Sequence, residues 1–158
     1  MNYHLITNAD ELRKAIETLT SQPVVGLDTE TTDLDPFTAR LRLIQLATPD
    51  RVNIVDFDHF SNGDAAHSDA LAPLRRLLAA PRPIKIAHNA KFDAKFIKHN
   101  LGVDLGGLFD TLLASQLVGA GDIEERHGLE AVSVRYLSEA VDTTERLSNW
   151  HFVVSEAQ

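Results

Sequence analysis

Val24-Val25-Gly26-Leu27-Asp28-Thr29-Glu30-Thr31 is the stretch that decides the fold. Val24 to Asp28 is apolar on both faces, the mark of a strand in the middle of a sheet. Successive residues of a strand point to opposite faces. Asp28 and Glu30 are two apart, so they leave the end of the strand on the same side. Two carboxylates held that close repel each other unless a cation lies between them. A cluster of oxygen ligands alone suits Mg²⁺ or Mn²⁺. A solitary Asp-x-Glu is often no more than a strand running into a turn. Here the pair ends a doubly buried strand, and matching segments follow it.

The flanking sequence supplies the rest of the sheet. Tyr3-His4-Leu5-Ile6 reads as a strand, and Thr7 or Asn8 then caps a helix that runs to about residue 19, with Leu12, Ile16 and Leu19 on one face. Residues 41–47 and 52–57 are strands on either side of Pro49-Asp50, a turn signal, and so form a hairpin. A polar loop over 58–68 leads to a helix at 70–78, closed off by Pro81 and Pro83. Residues 84–87 form another strand. Helices follow at about 91–100, 111–118 and 129–138, separated at Gly102, Gly106, Gly107, Gly119 and Gly121. The expected architecture is a single α/β domain over 1–158. It is a ribonuclease-H-like mixed sheet of about five strands, hairpin included, flanked by helices.

Bulk properties narrow the function. The chain has 158 residues, 44% of them hydrophobic and 24% charged, as in an ordinary globular domain. Its net charge of −8 argues against a protein that holds long duplex DNA on a broad basic face. It leaves room for one that grips the end of a strand, because carboxylates that bind cations are offset by them. There is no cysteine, so disulfides and thiolate metal sites are excluded. No apolar run approaches the ~18 residues of a membrane span, and Met1-Asn2-Tyr3-His4 does not open a signal peptide. The expected location is the cytoplasm, with no membrane partner.

Two further segments carry acids. His88-Asn89-Ala90-Lys91-Phe92-Asp93 follows a buried strand and opens a helix. Asn89 suits an N-cap. Asp93 falls about one turn inside, where exposed amides favour an acid. Phe109-Asp110-Thr111 opens the next helix, with Asp110 placed as its cap. Lys91, Lys95 and Lys98 form a helical stripe that suits either solvent or a phosphate backbone, and Arg40 and Arg42 on the hairpin share that ambiguity.

These segments, in this order, resemble the DEDD 3′→5′ exonucleases, in particular ribonuclease D and the proofreading domain of bacterial DNA polymerase I. Leu-Asp-Thr-Glu-Thr-Thr at 27–32, His-Asn-Ala-Lys-Phe-Asp at 88–93 and Phe-Asp-Thr at 109–111 carry the resemblance, which covers most of the chain. It implies hydrolysis of single-stranded RNA or DNA from the 3′ end with two Mg²⁺ or Mn²⁺ ions. Asp28 would lie between both ions, Glu30 at the ion beside the attacking water, and Asp93 at the other ion through water. Leu34 sits where the family wedges an apolar side chain against the terminal base, and a core leucine is an equal expectation. Thr29, His88, Asn89 and Phe92 would contact the terminal nucleotide, and Asp110 would support the site. The rival readings are a non-catalytic or split module that keeps a remnant site, and an endonuclease of the ribonuclease H kind.

The family pattern also asks for a fourth carboxylate late in the chain, four residues after a Tyr or five after a His. Tyr136 is followed at that spacing by Ala140. His59 with Asp64 and His99 with Asp104 have the histidine spacing but come too early, and His151 leads to Glu156. Ser155-Glu156-Ala157-Gln158 has the spacing of a capping box, with Val154 placed as a staple. The expectation is therefore a domain that lacks its final helix, binds metal weakly and has little or no activity alone, and leaves an apolar strip for a second chain to cover.

Overall fold

The computed structural model describes residues 2–60, 68–120 and 125–141. Six strands form one sheet: β1 (Asn2–Ile6), β2 (Val24–Thr31), β3 (Leu41–Ala47), β4 (Arg51–Asp56), β5 (Ile84–Ala87) and β6 (Leu108–Asp110). Their order is β1-β4-β3-β2-β5-β6. β2–β3 and β3–β4 are antiparallel, while β1–β4, β2–β5 and β5–β6 are parallel. The helices are α1 (Ala9–Thr20), α2 (Ala72–Ala79), α3 (Lys91–Leu101), α4 (Thr111–Val118) and α5 (Leu129–Leu137).

The expected α/β plan and the hairpin at Pro49-Asp50 are present. The sheet has six strands where about five were expected. β6 is three residues long and follows Gly106-Gly107, so its Phe-Asp-Thr segment reads in sequence as a helix start alone. Asn8 is the cap of α1, its side chain accepting from the Glu11 amide at 3.0 Å. α3 ends at Gly102, whose φ of 70° lies in the left-handed region that glycine enters without steric cost.

β2 is central, between β3 and β5, but only one of its faces is fully buried. Val25, Leu27 and Thr29 point into the core, whereas Val24 and Asp28 are exposed and Gly26 and Glu30 half-buried. The apolar run over 24–27 gives no sign of this asymmetry. The core joins Val25, Leu27, Ile44, Leu46 and Val55 of the sheet to Leu12, Ile16 and Leu19 of α1, Leu74, Leu77 and Leu78 of α2, and Phe96, Ile97 and Leu101 of α3. Asp28 and Glu30 lie on the opposite, more open face. Lys85 of β5 is fully buried and donates to the carbonyls of Leu77 (3.1 Å) and Ala80 (2.5 Å), so its ammonium serves the C-terminal end of α2. Desolvation holds its pKa below the usual lysine value.

Candidate active site

Asp28 pairs in register with Gln45, and Glu30 with Leu43. In an antiparallel pair, directly opposed residues share a face, so Asp28, Glu30 and Gln45 stand together. Gln45 Nε2 donates to Glu30 Oε1 at 3.4 Å. Gln45 has no place in the sequence expectations. Its signal is a polar residue inside Leu43-Ile44-Gln45-Leu46, at a strand position that alternation puts opposite Asp28.

Thr29 points the other way and is buried, and its Oγ1 donates to Asp93 Oδ1 at 2.6 Å. The Thr29 hydroxyl is thus used inside the protein. Asp93 lies in the first turn of α3, as expected, and is 3% exposed. Burial pushes its carboxyl up from 3.8 to about 6. The Thr29 hydrogen bond opposes that push and the charge of Asp28 adds to it. The amides of the first helical turn therefore lose to desolvation here.

The turn between β5 and α3 departs from expectation. Asn89 is not the cap of α3; that position is Ala90, with no side-chain cap. Asn89 is exposed and adopts φ of 64°, a left-handed conformation that asparagine enters more readily than most residues. Asp110 holds this turn. Its Oδ1 accepts from the amides of Asn89 (3.1 Å) and Leu112 (2.9 Å), and its Oδ2 accepts from that of Ala90 (2.9 Å). Asp110 is thus the expected cap of α4 and also a clamp on the preceding turn. Thr111 Oγ1 donates to the Ala87 carbonyl at 3.1 Å and is hydrogen-bonded to His88 Nδ1 at 3.0 Å. His88 is half-buried, and half-buried Phe92 packs on Phe96 with ring centroids 4.9 Å apart and planes tilted by 44°.

Leu34 is 78% exposed on the loop after β2, so it is not a core leucine. Lys91 and Lys95 are exposed, while Lys98 pairs with Asp104 at 2.7 Å. Arg42 is fully buried against Asp56 and lies 3.3 Å from Asp58, so it is removed from any nucleic-acid surface. Arg40 is exposed, 3.5 Å from Asp58. A groove of about 680 Å³ between α1 and α2, lined in part by Arg13, Arg76 and Arg82, contains none of the expected site residues.

The structure thus brings Asp28, Glu30 and Asp93 to one end of the β2–β5 pair, with His88 and Asn89 on the adjoining turn. Among the described residues, no group of three or more His, Asp or Glu side chains is gathered closely enough to hold a metal by itself. Asp64, His151 and Glu156, weighed in the search for a fourth acid, and the capping box at 155–158 lie outside the described residues. No helix among the described residues is long and apolar enough to cross a membrane.

Comparison with known proteins bears on the family of the whole chain. DNA polymerase I of Aquifex aeolicus is 32% identical over 100% of this chain and 24% of its own length. Ribonuclease D of Gluconacetobacter diazotrophicus is 32% identical over 98% of the chain and 37% of its own length. The chain thus spans well under half of these relatives. The solved structure of Brucella melitensis NrnC bound to pGG superposes with a TM-score of 0.77 at 25% identity, covering 100% of this chain and 71% of that one. A family model described as 3′-5′ exonuclease matches residues 3–158, and the chain belongs to that family.

Proposed function

We propose that this domain removes nucleotides from the 3′ end of single-stranded RNA or DNA by metal-dependent phosphodiester hydrolysis. The observation that carries the reading is the Thr29–Asp93 hydrogen bond of 2.6 Å, which brings the carboxylate of α3 to the strand end where Asp28 and Glu30 leave β2; the charge of Asp28 adds to the upward push that burial gives Asp93. Acids that hinder each other's ionisation are the donor set that a hard cation relieves. Asp28, Glu30 and Asp93 fit Mg²⁺ or Mn²⁺ because all offer carboxylate oxygen and no cysteine competes. Two such ions, when bound, would supply Lewis-acid charge to the scissile phosphate and a more acidic water.

The protein's own groups have separate tasks. Thr29 and Gln45 orient Asp93 and Glu30. Asn89, exposed on the clamped turn, and His88 face the terminal nucleotide, and Leu34 presents an apolar side chain to its base. A fourth carboxylate would complete the set. The exposed Leu113, Leu117, Val118 and Leu137 of α4 and α5 offer an apolar seat to the helix that brings it, including one from a second chain.

The test is a 5′-labelled single strand incubated with the protein and Mg²⁺ or Mn²⁺. A ladder that shortens one nucleotide at a time from the 3′ end supports the reading. Internal cuts, in the strand or in an RNA–DNA hybrid, sink it.

A further inference from the structure

We propose that Phe37 and His99, with Lys91 and Lys95, form a track for the nucleotides upstream of the terminal one, the ligand being a single strand of nucleic acid. The proposal rests on the exonuclease reading above and extends it away from the carboxylates.

The loop between β2 and β3 is a built structure. Asp35 Oδ1 accepts from the Phe37 amide at 3.0 Å, and the Asp35 carbonyl accepts from the amides of Thr38 (3.1 Å) and Ala39 (2.8 Å). Ala39 is buried. At the stem, the Thr32 amide donates to the Arg40 carbonyl at 3.1 Å and the Arg40 amide to Thr32 Oγ1 at 2.9 Å. This loop holds the Phe37 side chain outward, and the residue is 81% exposed. Its ring meets that of His99 edge to face, with centroids 5.1 Å apart and planes at 68°. A ring placed only to anchor the loop would be covered by its partner, and this one is not.

His99 is six residues beyond Asp93 on α3, about 9 Å along the helix axis. Lys91, Lys95 and His99 follow one another at intervals of four, so they share one face, and all three are exposed. Lys91 and Lys95 have no ionic or hydrogen-bond partner among the described residues, unlike Lys98. In a chain of net charge −8, two unpaired ammonium groups thus lead from the carboxylate end of α3 to an exposed aromatic pair. Cations for the backbone combined with a ring for the base are what sequence-tolerant binding of a single strand needs. The exposed Leu34 lies on the same loop, between Asp28 and Phe37 in sequence.

The experiment compares a dinucleotide, too short to reach Phe37, with a seven-nucleotide strand. Single-turnover half-saturation is measured for the wild type, Phe37→Ala and Lys95→Glu. Phe37→Ala is expected to raise the half-saturation of the longer strand roughly tenfold and to leave that of the dinucleotide within about twofold. Lys95→Glu is expected to weaken the longer strand and flatten its salt dependence. Equal effects on both lengths, or on neither, overturn the track. A second arm reads binding alone, by anisotropy of the labelled longer strand with Ca²⁺ in place of Mg²⁺. If the wild type cleaves neither substrate, the exonuclease reading falls and this arm decides the track: weaker binding by Phe37→Ala supports it, and unchanged or absent binding overturns it.

Discussion

Thr29 Oγ1 lies 2.6 Å from Asp93 Oδ1. A residue between two outward carboxylates on β2 therefore turns to the opposite face of the sheet and orients a third on α3. The bond favours the ionised form of Asp93, against a burial that disfavours it. Thr29→Val removes the bond and keeps the shape, so Asp93 should titrate above its value of about 6. Calorimetry should then show Mg²⁺ binding weakened by about tenfold at pH 6.5 and by less at pH 8, where even the variant's Asp93 ionises. Thr29→Ser should restore the wild-type profile. Equal weakening at both pH values would assign the loss to something other than Asp93.

The raised pKa has a consequence for stability without added metal. Asp93 is ordinary at 3.8 in the unfolded chain and titrates at about 6 in the fold. Its ionised form therefore costs the folded state nothing below about pH 4 and the full amount above about pH 6. This group makes the metal-free protein less stable as pH rises through that window, by about 2–3 kcal/mol. Denaturant melts in EDTA at pH 4.5 and 7.5 should show this slope largely missing from Asp93→Asn. Added Mg²⁺ should recover stability at pH 7.5 in the wild type and much less in the variant.

Asp110 accepts three backbone amides with its two oxygens. Asp110→Ala should destabilise the domain by on the order of 3 kcal/mol, since partly buried amides would lose a charged acceptor. Asp110→Asn, which keeps one carbonyl oxygen, should cost less. Chemical denaturation measures both, and a loss below about 0.5 kcal/mol for the alanine variant would remove the clamp from this account.

Arg42 and Asp56 are both fully buried and paired. Arg42→Ala should cost about 3–5 kcal/mol, because it strands a carboxylate in the interior. The folded variant should still bind a labelled single strand within about twofold of wild type. Selective loss of binding with unchanged stability would return Arg42 to the nucleic-acid surface.

Much of this was legible in the sequence because the signals were local. The apolar run of β2, the turn at Pro49-Asp50 and the spacing of Leu12, Ile16 and Leu19 each decide one element without help from the rest. The features that escaped depend on distant partners. β6 exists because Lys85, Ile86 and Ala87 offer it a parallel edge. Asn89 looks like a cap until Asp110, twenty-one residues on, takes its amide. Arg42 reads as a surface cation until β4 brings Asp56 beneath it. The carboxylates were visible as residue types at a spacing. The inward hydroxyl of Thr29 and the burial of Asp93 were not, because only the packing of α3 decides them.

The central claim is that Asp28, Glu30 and Asp93 carry a metal-dependent cleavage at the 3′ end. Its most direct test is single-turnover degradation of a single strand, with protein in excess and Mg²⁺ titrated, by the wild type and by Asp28→Ala, Glu30→Gln and Asp93→Asn. The account predicts release of single nucleotides from the 3′ end by the wild type, none in EDTA, and a loss of at least about a hundredfold in each variant. Degradation that survives Asp28→Ala, or a wild type inert at every Mg²⁺ and Mn²⁺ concentration, would contradict it.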